Sequence, residues 1–499
     1  MRKYIIQIFL TTLLIIGAGR LFAQKILLPF DRITALEVNR QLYELDTNIH
    51  FSYKPLLLNK SEYDTIMRHV QKRLGAKHRE KWGGRKLFNE NLAVLQAKDF
   101  YLTIDPLMNF EFGTDLEDGS NGQVTTNTRG ILIQGNITEK VYFRTDFYET
   151  QSYFPTYMDS MILSSGAVPG QGKAKAFKTD GYDYPLVTGI VNFQASKNVN
   201  LQFGQDKMFI GNGYRSLLLS DNSSPFLFLQ AGLSLFENKL NYHANWSALQ
   251  TLVKVHGGGG DDVFARKQAN FNYVSFKPNS TWEIGLFEGV MWERWNEHSY
   301  SQDFDPLFIN PVPLVNSFAK KSDTLVNSIL GMNLFVKPFT YTSFYGQLSY
   351  GLEKEGVGFQ VGTKLYEVLG IEGLSLQAEY NQVGDNVYGV KNDYVDYFHY
   401  NQPLTVQQME DFSEVILIGN YRHRRFLLYA KASLADVVNP SIGDVTIQNY
   451  EANLGYIFNP ITNLMVNAGV RYRDHSVTGA TNWVYFGLKT NLRNLYYDF

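Results

Sequence analysis

From about Lys98 to the end of the chain, apolar and polar residues alternate with a period of two, which is the period of a β-strand. One face of a typical segment holds Val141, Phe143 and Phe147, and the other holds Tyr142, Arg144, Asp146 and Tyr148. Charged residues on the second face fit a watery lumen better than a packed core. The pattern predicts about 18 strands, which start near residues 99, 125, 140, 185, 199, 226, 239, 264, 280, 326, 340, 357, 372, 412, 425, 447, 461 and 482.

The connections between these segments alternate in length. Short turns are predicted around residues 138–139, 197–198, 237–238, 278–279, 338–339, 369–370, 423–424 and 460–461, and longer links cover residues 154–185, 211–225, 293–323 and 384–408. Bacterial outer-membrane barrels sort their connections in this way, with tight periplasmic turns, longer extracellular loops and an even number of strands. We therefore predict an antiparallel outer-membrane β-barrel over residues 98–499, with both chain termini in the periplasm.

The last predicted strand runs from Trp483 to Phe499 and closes the barrel. Its alternation slips, because Leu495, Tyr497 and Phe499 are in register with each other but not with Leu488. The slip predicts a bulge near Arg493 or Asn494, or a strand that is shorter than drawn.

Residues 1–23 have the three parts of a secretory signal peptide. Arg2 and Lys3 precede an apolar run from Ile5 to Ile16, and the segment ends at Ala23. We expect export and cleavage there. The apolar run is too short to cross a bilayer comfortably, and no stretch of about 18 apolar residues follows it. A closed barrel is then the remaining way for the chain to span lipid.

Residues 24–97 do not alternate and are predicted to form a small helical periplasmic domain before the barrel. Ser61 can cap a helix whose apolar face holds Ile66, Met67, Val70 and Leu74, and a second helix is predicted over roughly Leu87 to Ala97. A basic cluster separates the two helices and consists of Lys72, Arg73, Lys77, Arg79, Lys81, Arg85 and Lys86. We interpret the cluster as a solvated face; the alternative is a docking surface for a periplasmic or motility partner or an acidic ligand.

The composition favours the barrel over a secreted β-sandwich. Aromatic residues make up 15% of the chain, with 32 Tyr and 35 Phe, while the hydrophobic fraction is 44%. Barrels use such residues for the girdles at both membrane interfaces, with outer-membrane lipid as the partner of the outer face. The chain has no cysteine, which excludes a lipidated Cys and a disulfide framework. The net charge of −2 indicates no nucleic-acid partner.

One segment departs from ordinary barrel sequence. From Phe203 to Phe226 it reads Phe-Gly-Gln-Asp-Lys-Met-Phe-Ile-Gly-Asn-Gly-Tyr-Arg-Ser-Leu-Leu-Leu-Ser-Asp-Asn-Ser-Ser-Pro-Phe. This resembles the signature of the capsule-assembly Wzi family, in which a Gly-Arg-Asp-like strand end precedes a glycine-rich turn and Ser-Leu-Leu-Leu-Ser-Asp-Asn. The gliding-motility outer-membrane protein RemB is similar to the same pattern. Gln205 stands where the family often has Arg, and the stretch from Asp305 to Leu314 also resembles an extracellular segment of these proteins.

The resemblance implies an outer-membrane protein that holds surface or capsular polysaccharide without cutting it. Sugar recognition needs amide and carboxylate groups for hydroxyls and aromatic faces for C–H surfaces. The candidate glycan-binding residues of the segment are Asp206, Asn212, Tyr214, Arg215, Asp221 and Asn222. The alternative is that Asp221 and Asn222 are turn residues and that Arg215 is a lumenal strut.

The sequence gives little support for a metal site or a catalytic site. The loop from Trp292 to Phe318 carries His298, Asp303 and Asp305, but their spacing matches no ligand motif, and a charged, aromatic extracellular loop is the preferred interpretation. A loop of this kind could fold inward and narrow the pore. We expect no metal, no cofactor and no enzymatic activity, since no Ser–His or Asp–His pair falls on neighbouring strands.

Three other functions are less favoured. The first alternative to polysaccharide binding is a RemB-like component of a gliding-motility or surface-adhesin machine. A general porin is another. A TonB-dependent transporter is disfavoured, because the segment before the first strand is too short for a plug domain and no 22-strand barrel fits.

Overall fold

The computed structural model describes residues 24–44, 48–75, 79–117, 122–256, 262–295, 303–409, 411–439, 443–490 and 493–499. The predicted signal peptide, residues 1–23, lies outside the described residues, as do Lys77 of the basic cluster and His298.

The alternating part of the chain forms a closed antiparallel barrel of 18 strands. The strands are β1 Phe100–Asp115, β2 Gln123–Ile137, β3 Val141–Tyr153, β4 Gly181–Gln194, β5 Val199–Asp206, β6 Phe226–Leu235, β7 Leu240–His256, β8 Asp262–Phe276, β9 Trp282–Trp295, β10 Val326–Phe339, β11 Thr342–Gly351, β12 Val357–Tyr366, β13 Leu374–Val383, β14 Phe412–His423, β15 Phe426–Asn439, β16 Gly443–Asn459, β17 Leu464–His475 and β18 Gly479–Lys489. Each strand pairs with its neighbours in sequence, and β18 pairs with β1 over Trp483–Lys489 and Asn109–Asp115. The predicted strand count is confirmed, and each predicted start lies within four residues of an observed one.

The two faces of the wall differ as the alternation predicts. Outward positions are exposed and apolar, and examples are Phe203, Leu227, Leu229, Leu286, Leu334, Leu348, Leu417, Leu454 and Phe486. Inward positions are polar and buried, and examples are Glu283, Asn333, Gln347, Gln360, Glu379 and Glu414. The inward groups are buried because the lumen is filled by other parts of the chain.

The two ends of the barrel carry different connections. At one end, here called the turn end, the strands are joined through residues 138–140, 195–198, 236–239, 277–281, 340–341, 367–373, 424–425 and 460–463. At the other, the loop end, the longest connections span residues 154–180, 207–225, 296–325 and 384–411. The predicted sorting of short and long connections is therefore confirmed.

The residues before the barrel enter it from the turn end. Helix α1, Arg32–Glu44, and helix α2, Lys60–Arg73, belong to a segment of residues 24–75 that we call the plug, in which Lys25–Leu27 pairs with Leu57–Asn59. Asp31 caps α1 by accepting the Thr34 N–H at 3.0 Å, and Val38 and Leu42, one turn apart, face the core. The predicted helix around Ile66 is observed as α2, whereas α1 was not predicted.

Contacts with the inner wall hold the plug in the lumen. Glu283 of β9 accepts the Phe51 and Ser52 N–H groups at 2.8 and 3.2 Å, and the Tyr53 hydroxyl donates to Gln230 and Asn245 at 3.1 Å. The plug is therefore built into the barrel, and the expectation of a helical domain that simply precedes it is corrected.

The second predicted helix, over Leu87 to Ala97, is wrong. Helix α3 spans Trp82–Phe88, and Ala93–Ala97 is a strand that pairs with Phe100–Ile104 of β1. This short strand lies along the edge of β1 below the point where β18 stops. It completes the wall there, because β2 already covers the other edge of β1.

The predicted extent of the last strand is also wrong. Strand β18 ends at Lys489, and residues 493–499, here called the tail, turn into the lumen. The break in the alternation before Phe499 thus marks the end of the strand. Of the two alternatives that the sequence left open, a bulge and a shorter strand, the structure shows the shorter strand. Arg473 of β17 donates to the Phe499 carbonyl oxygen at 2.9 Å, so Phe499 lies inside the barrel and not on a strand at its rim.

The long connections carry the remaining elements. They are α4 Thr156–Ser165, α5 Val315–Ala319, short 3-10 turns at Pro306–Ile309 and Asp393–Val395, and strand pairs at Lys175–Phe177 with Gly181–Asp183 and at Phe398–His399 with Gln402–Pro403. A further 3-10 turn, Val368–Gly370, lies in a connection at the turn end. Among the described residues, no helix is both long and apolar enough to cross a membrane.

Candidate functional site

The segment between β5 and β6, residues 207–225, crosses the lumen and contacts both the plug and the tail. Phe209–Ile210 forms a short antiparallel pair with Tyr53–Lys54 of the plug. Leu217, Leu218 and Leu219 are fully buried in an apolar cluster inside the barrel. We call residues 207–225 the crossing segment, because it divides the lumen near its middle.

The loop of residues 384–409 covers the crossing segment from the loop end. The Tyr388 and Tyr397 hydroxyls donate to the backbone carbonyls of Leu217 and Leu218, both at 2.6 Å. Thr405 donates to the Ser216 carbonyl at 3.0 Å. These bonds satisfy the backbone acceptors of residues 216–218, which lie outside the strands, as buried carbonyls require.

Arg215 is the electrostatic centre of the crossing segment. Its guanidinium donates from Nε and Nη2 to the two carboxylate oxygens of Glu414, at 3.1 and 2.8 Å, and from Nη2 to the Asp498 carboxylate at 3.2 Å. The fork of the guanidinium matches a carboxylate in this two-bond geometry. Burial alone lowers the pKa of Arg215, but Asp498 and Glu414 raise it well above its usual value. Arg215 thus joins the wall, the crossing segment and the tail.

Tyr214 lies between the plug and the tail. Its hydroxyl donates to Asp498 at 2.8 Å, and the Arg32 guanidinium of α1 stacks on its ring, with 3.6 Å from Cζ to the ring centre. Lys431 of β15 forms an ion pair with Asp498 at 3.0 Å. Burial raises the pKa of the Asp498 carboxyl, but Arg215 and Lys431 outweigh burial and hold that pKa well below its usual range.

The other four candidate residues also bond to protein. Asp221 accepts from the Tyr496 hydroxyl at 2.5 Å and from Asn494 at 2.8 Å. Asn212 donates to Ser52 of the plug at 2.8 Å, and Asn222 donates to Gln407 at 3.1 Å. Asp206 accepts the Lys207 N–H at 2.8 Å.

The structure therefore brings all six candidate residues together in the lumen, with relative exposures from 1% to 5%. Their bonds to the wall, plug and tail give them a structural role, and a direct role in glycan binding stays a prediction. Sequence reasoning missed Arg32, Glu379, Glu414, Lys431 and Asp498, which complete this network. No local pattern marks them, because each comes from a different strand or chain end.

Lys207 ties the crossing segment to the connection that carries α4. Its ammonium donates to the carbonyls of Gly170 and Asp221 at 2.6 and 2.7 Å. Burial lowers the pKa of Lys207 to about 7, and the nearby Asp221 only partly offsets this. Lys207 thus joins the crossing segment to the connection that carries α4.

A cavity of about 290 Å³ remains between the plug, the tail and strands β12–β18 and β1. Its lining includes Glu111, Lys364, Lys431, Glu451 and Arg471, which are inward residues of the wall. Helix α1 bounds the cavity toward the turn end, and Tyr214 and Tyr496 bound it toward the loop end. This is the polar half of the lumen, and the half around Leu217 is apolar.

Replacing Gly213 with Ala should destabilise the crossing segment. A Cβ at this position would lie 2.6 Å from the Arg215 carbonyl oxygen and 2.6 Å from Oε2 of Glu379, which accepts the Tyr214 N–H. We expect a loss of about 1–3 kcal/mol, seen as a lower midpoint of thermal unfolding by circular dichroism. Gly83→Ala in α3 is the control, since a Cβ there meets nothing within 4 Å. Equal midpoints for the two variants would contradict the crowding at Gly213.

The loop end also carries an exposed basic patch. Lys173, Lys175 and Lys178 follow α4, and Lys254 lies on β7. The Lys173 ammonium lies over the Phe264 ring at 4.7 Å, and Phe264 is the strand partner of Lys254. We call these four lysines, with the Phe264 ring, the lysine patch. Lys173 thus places an ammonium group on an aromatic ring, and Lys175 and Lys178 are exposed in the stretch that follows it, which continues to Asp180 and Asp183.

Solved structures with a similar fold include Wzi, an outer-membrane protein involved in group 1 capsule assembly in Escherichia coli and described as a carbohydrate-binding β-barrel. The match covers 94% of this chain and 100% of that chain, with 14% sequence identity and a TM-score of 0.54. The Pseudomonas aeruginosa protein OccK3 (OpdO) matches over 79% of this chain and 95% of its own, with 13% identity and a TM-score of 0.45. A BenF-like porin from Pseudomonas fluorescens Pf-5 matches over 79% of this chain and 99% of its own, with 11% identity and a TM-score of 0.45.

No family model and no curated protein sequence matches the chain. The predicted resemblance to Wzi is confirmed as a likeness of fold, and the chain has the fold of an outer-membrane β-barrel. The resemblance to RemB stays a prediction.

Proposed function

We propose that this protein binds surface polysaccharide at the loop end of an outer-membrane barrel, supports capsule assembly, and neither conducts solutes nor cuts the glycan. The observation that carries the proposal is the filled lumen. The plug, the crossing segment, the loop of residues 384–409 (the inner loop) and the tail occupy the described interior and bond to one another and to the wall. A barrel of 18 strands otherwise encloses an aqueous channel, so an interior built in this way favours binding at the surface.

The proposal places the loop end outside the cell and the turn end in the periplasm. Short periplasmic turns and longer extracellular loops are the rule for bacterial barrels. The plug then faces the periplasm. Helix α3 lies at the same end with Trp82 exposed, beside Arg79 and Lys81 of the basic cluster, and offers a surface to a periplasmic partner.

The lysine patch is the proposed glycan contact. Ammonium groups bind carboxylates and phosphates of acidic sugars through charge-assisted hydrogen bonds, and an aromatic face packs against sugar C–H surfaces. The patch is exposed, whereas the six residues of the segment from Asp206 to Asn222 are buried and bonded to protein. The likeness to Wzi, whose structure is described as carbohydrate-binding, supports glycan binding as the function.

Replacing Lys173, Lys175 and Lys178 with Ala should release polysaccharide from the cell surface. The expected result is that most of the surface polysaccharide moves from the cell pellet to the medium, as in cells that lack the gene. The purified triple variant should also lose most of its binding to hyaluronan, an acidic glycan used as the probe, while neutral dextran binds neither form. Binding should weaken with added salt, because exposed charges are screened.

The matched control replaces Lys321 and Lys354, two exposed lysines on another side of the loop end, with Ala. This variant should keep polysaccharide and hyaluronan binding. Full retention by the triple variant would exclude the lysine patch as the contact. Full retention by cells without the gene would overturn the proposed function, and loss of spreading in those cells would then favour the RemB-like role in motility.

A further inference from the structure

Part of the outer wall of the barrel is polar. Tyr242 of β7, Asn270 and Asn272 of β8 and Glu288 of β9 share the outward face, because they alternate with lumenal neighbours and pair across the strands. On β9 itself, Trp282, Ile284 and Leu286 are exposed outward positions that precede Glu288. Without a cover, these polar groups would face lipid, where a polar group with no hydrogen-bond partner raises the free energy of the folded state.

Residues 305–320 cover this polar wall from outside. The Ser317 N–H and hydroxyl donate to Glu288 at 3.1 and 2.7 Å. Asn270 donates to the Phe308 carbonyl at 3.3 Å, and the Tyr242 hydroxyl donates to the Pro311 carbonyl. The described part of the loop from Trp292 to Phe318 thus lies on the outer face and does not fold inward, and we call residues 305–320 the strap.

The free side of the strap is apolar. Every exposed residue between Pro306 and Ala319 is apolar, namely Pro306, Ile309, Pro311, Val312, Leu314, Val315, Phe318 and Ala319. The polar residues of this stretch turn inward, with Asn316 and Ser317 fully buried and Asn310 bonded to Asn316. Charges stand at the two ends, where Lys320 forms an ion pair with Asp305 at 2.9 Å.

The backbone of the strap is suited to a surrounding without water. Pro306, Pro311 and Pro313 have no N–H to satisfy. The N–H groups of Leu307, Phe308, Asn310, Val312, Ser317, Phe318 and Lys320 all have acceptors within the protein. Irregular backbone at membrane depth is tolerated only where its polar groups are satisfied by protein, and the strap meets this condition over most of its length.

The depth of the polar wall agrees with a membrane setting. Glu288 is six residues beyond Trp282 along β9, which corresponds to a height of about 15 Å in a tilted strand. The apolar band of an outer-membrane barrel is about 25 Å tall. Exposed Met332 and Leu334 on the neighbouring β10 continue this band beside the strap.

We propose that the strap is a membrane-seated element, whose apolar face is in contact with the hydrocarbon of the lipid leaflet nearest the loop end. The strap replaces a polar stretch of outer wall with an apolar surface that continues the lipid-facing band. The barrel therefore presents a segment of loop, and not only strands, to the bilayer.

Site-directed spin labelling tests the proposal, because the chain has no native cysteine. Val312→Cys and Phe318→Cys, each carrying a nitroxide, are placed in full-length protein in phosphatidylethanolamine–phosphatidylglycerol vesicles. Both labels should be accessible to oxygen and protected from a water-soluble nickel chelate, like a label at Leu286→Cys on the lipid-facing wall. A label at Lys354→Cys, on a loop tip, should show the opposite pattern.

Two results would overturn the proposal. Nickel accessibility at Val312 and Phe318 equal to that at Lys354 would place the strap in water. Protection from both oxygen and nickel would mean that protein covers the strap, as in contact with a second copy. Because all four positions are exposed, the labels leave the interior intact, and heat-dependent migration in a denaturing gel checks that each barrel is folded.

Discussion

Replacing Arg215 with Met should destabilise the folded protein strongly while leaving the loop-end surface in place. The substitution removes a guanidinium that is 3% exposed and leaves the carboxylates of Glu414 and Asp498 without their shared partner. Removing one side of a buried ion pair costs about 3–5 kcal/mol. The measurement is the midpoint of thermal unfolding in detergent, followed by circular dichroism.

The controls separate the charge network from simple loss of a side chain. Arg129→Met, at an exposed arginine on β2, should change stability by less than about 0.5 kcal/mol. The double variant Arg215→Met with Glu414→Gln should recover part of the lost stability, since it removes one of the two carboxylate charges that Arg215→Met leaves without a partner. An unchanged unfolding midpoint together with lost hyaluronan binding would instead make Arg215 a glycan ligand, as the sequence resemblance implies.

The wall of the barrel could be predicted from the sequence because each strand is marked by the pattern of its own residues. Alternation in each segment, such as that around Phe143 and Arg144, assigns a strand and its two faces. The sorting of short turns and long connections then fixes the antiparallel order. Neither step needs knowledge of what fills the lumen.

The interior could not be predicted in the same way, since it depends on pairings between distant parts of the chain. Arg32, Tyr214 and Asp498 meet because the plug, the crossing segment and the tail all enter one lumen. The segment from Phe203 to Phe226 was singled out correctly as unusual. Its polar residues were interpreted as a glycan site, because a buried strut and a sugar ligand need the same hydrogen-bonding groups.

The positions of α1 and of the tail inside the barrel could not be predicted from local patterns either. Val38 and Leu42 on α1 could have been read as one helix face, but nothing local says that this face packs inside a barrel. The phase slip near Arg493 did carry information, and it marked the departure of the tail from the wall. Beyond that point, the tail is held by Arg215 and Lys431, which pair with Asp498, and by Arg473, which donates to the Phe499 carbonyl oxygen.

Opening the lumen should require removal of both the plug and the tail. Helix α1 bounds the polar cavity toward the turn end, and the tail with Tyr214 bounds it toward the loop end. Two barriers in series block current as long as either one remains. In planar bilayers, the full-length protein should therefore be nearly closed, and deletion of residues 25–75 alone or of residues 493–499 alone should change conductance little.

The double deletion should raise conductance by about tenfold or more over either single deletion, because the polar half of an 18-strand barrel is then continuous with water at both ends. All three variants must first show the heat-dependent gel migration of a folded barrel, so that a leak from damaged protein is not counted as a channel. High conductance after one deletion would mean that the lumen has a single barrier. A closed double-deletion variant would mean that the crossing segment and the inner loop of residues 384–409 seal the barrel by themselves, through bonds such as those from Tyr388 and Tyr397 to its backbone.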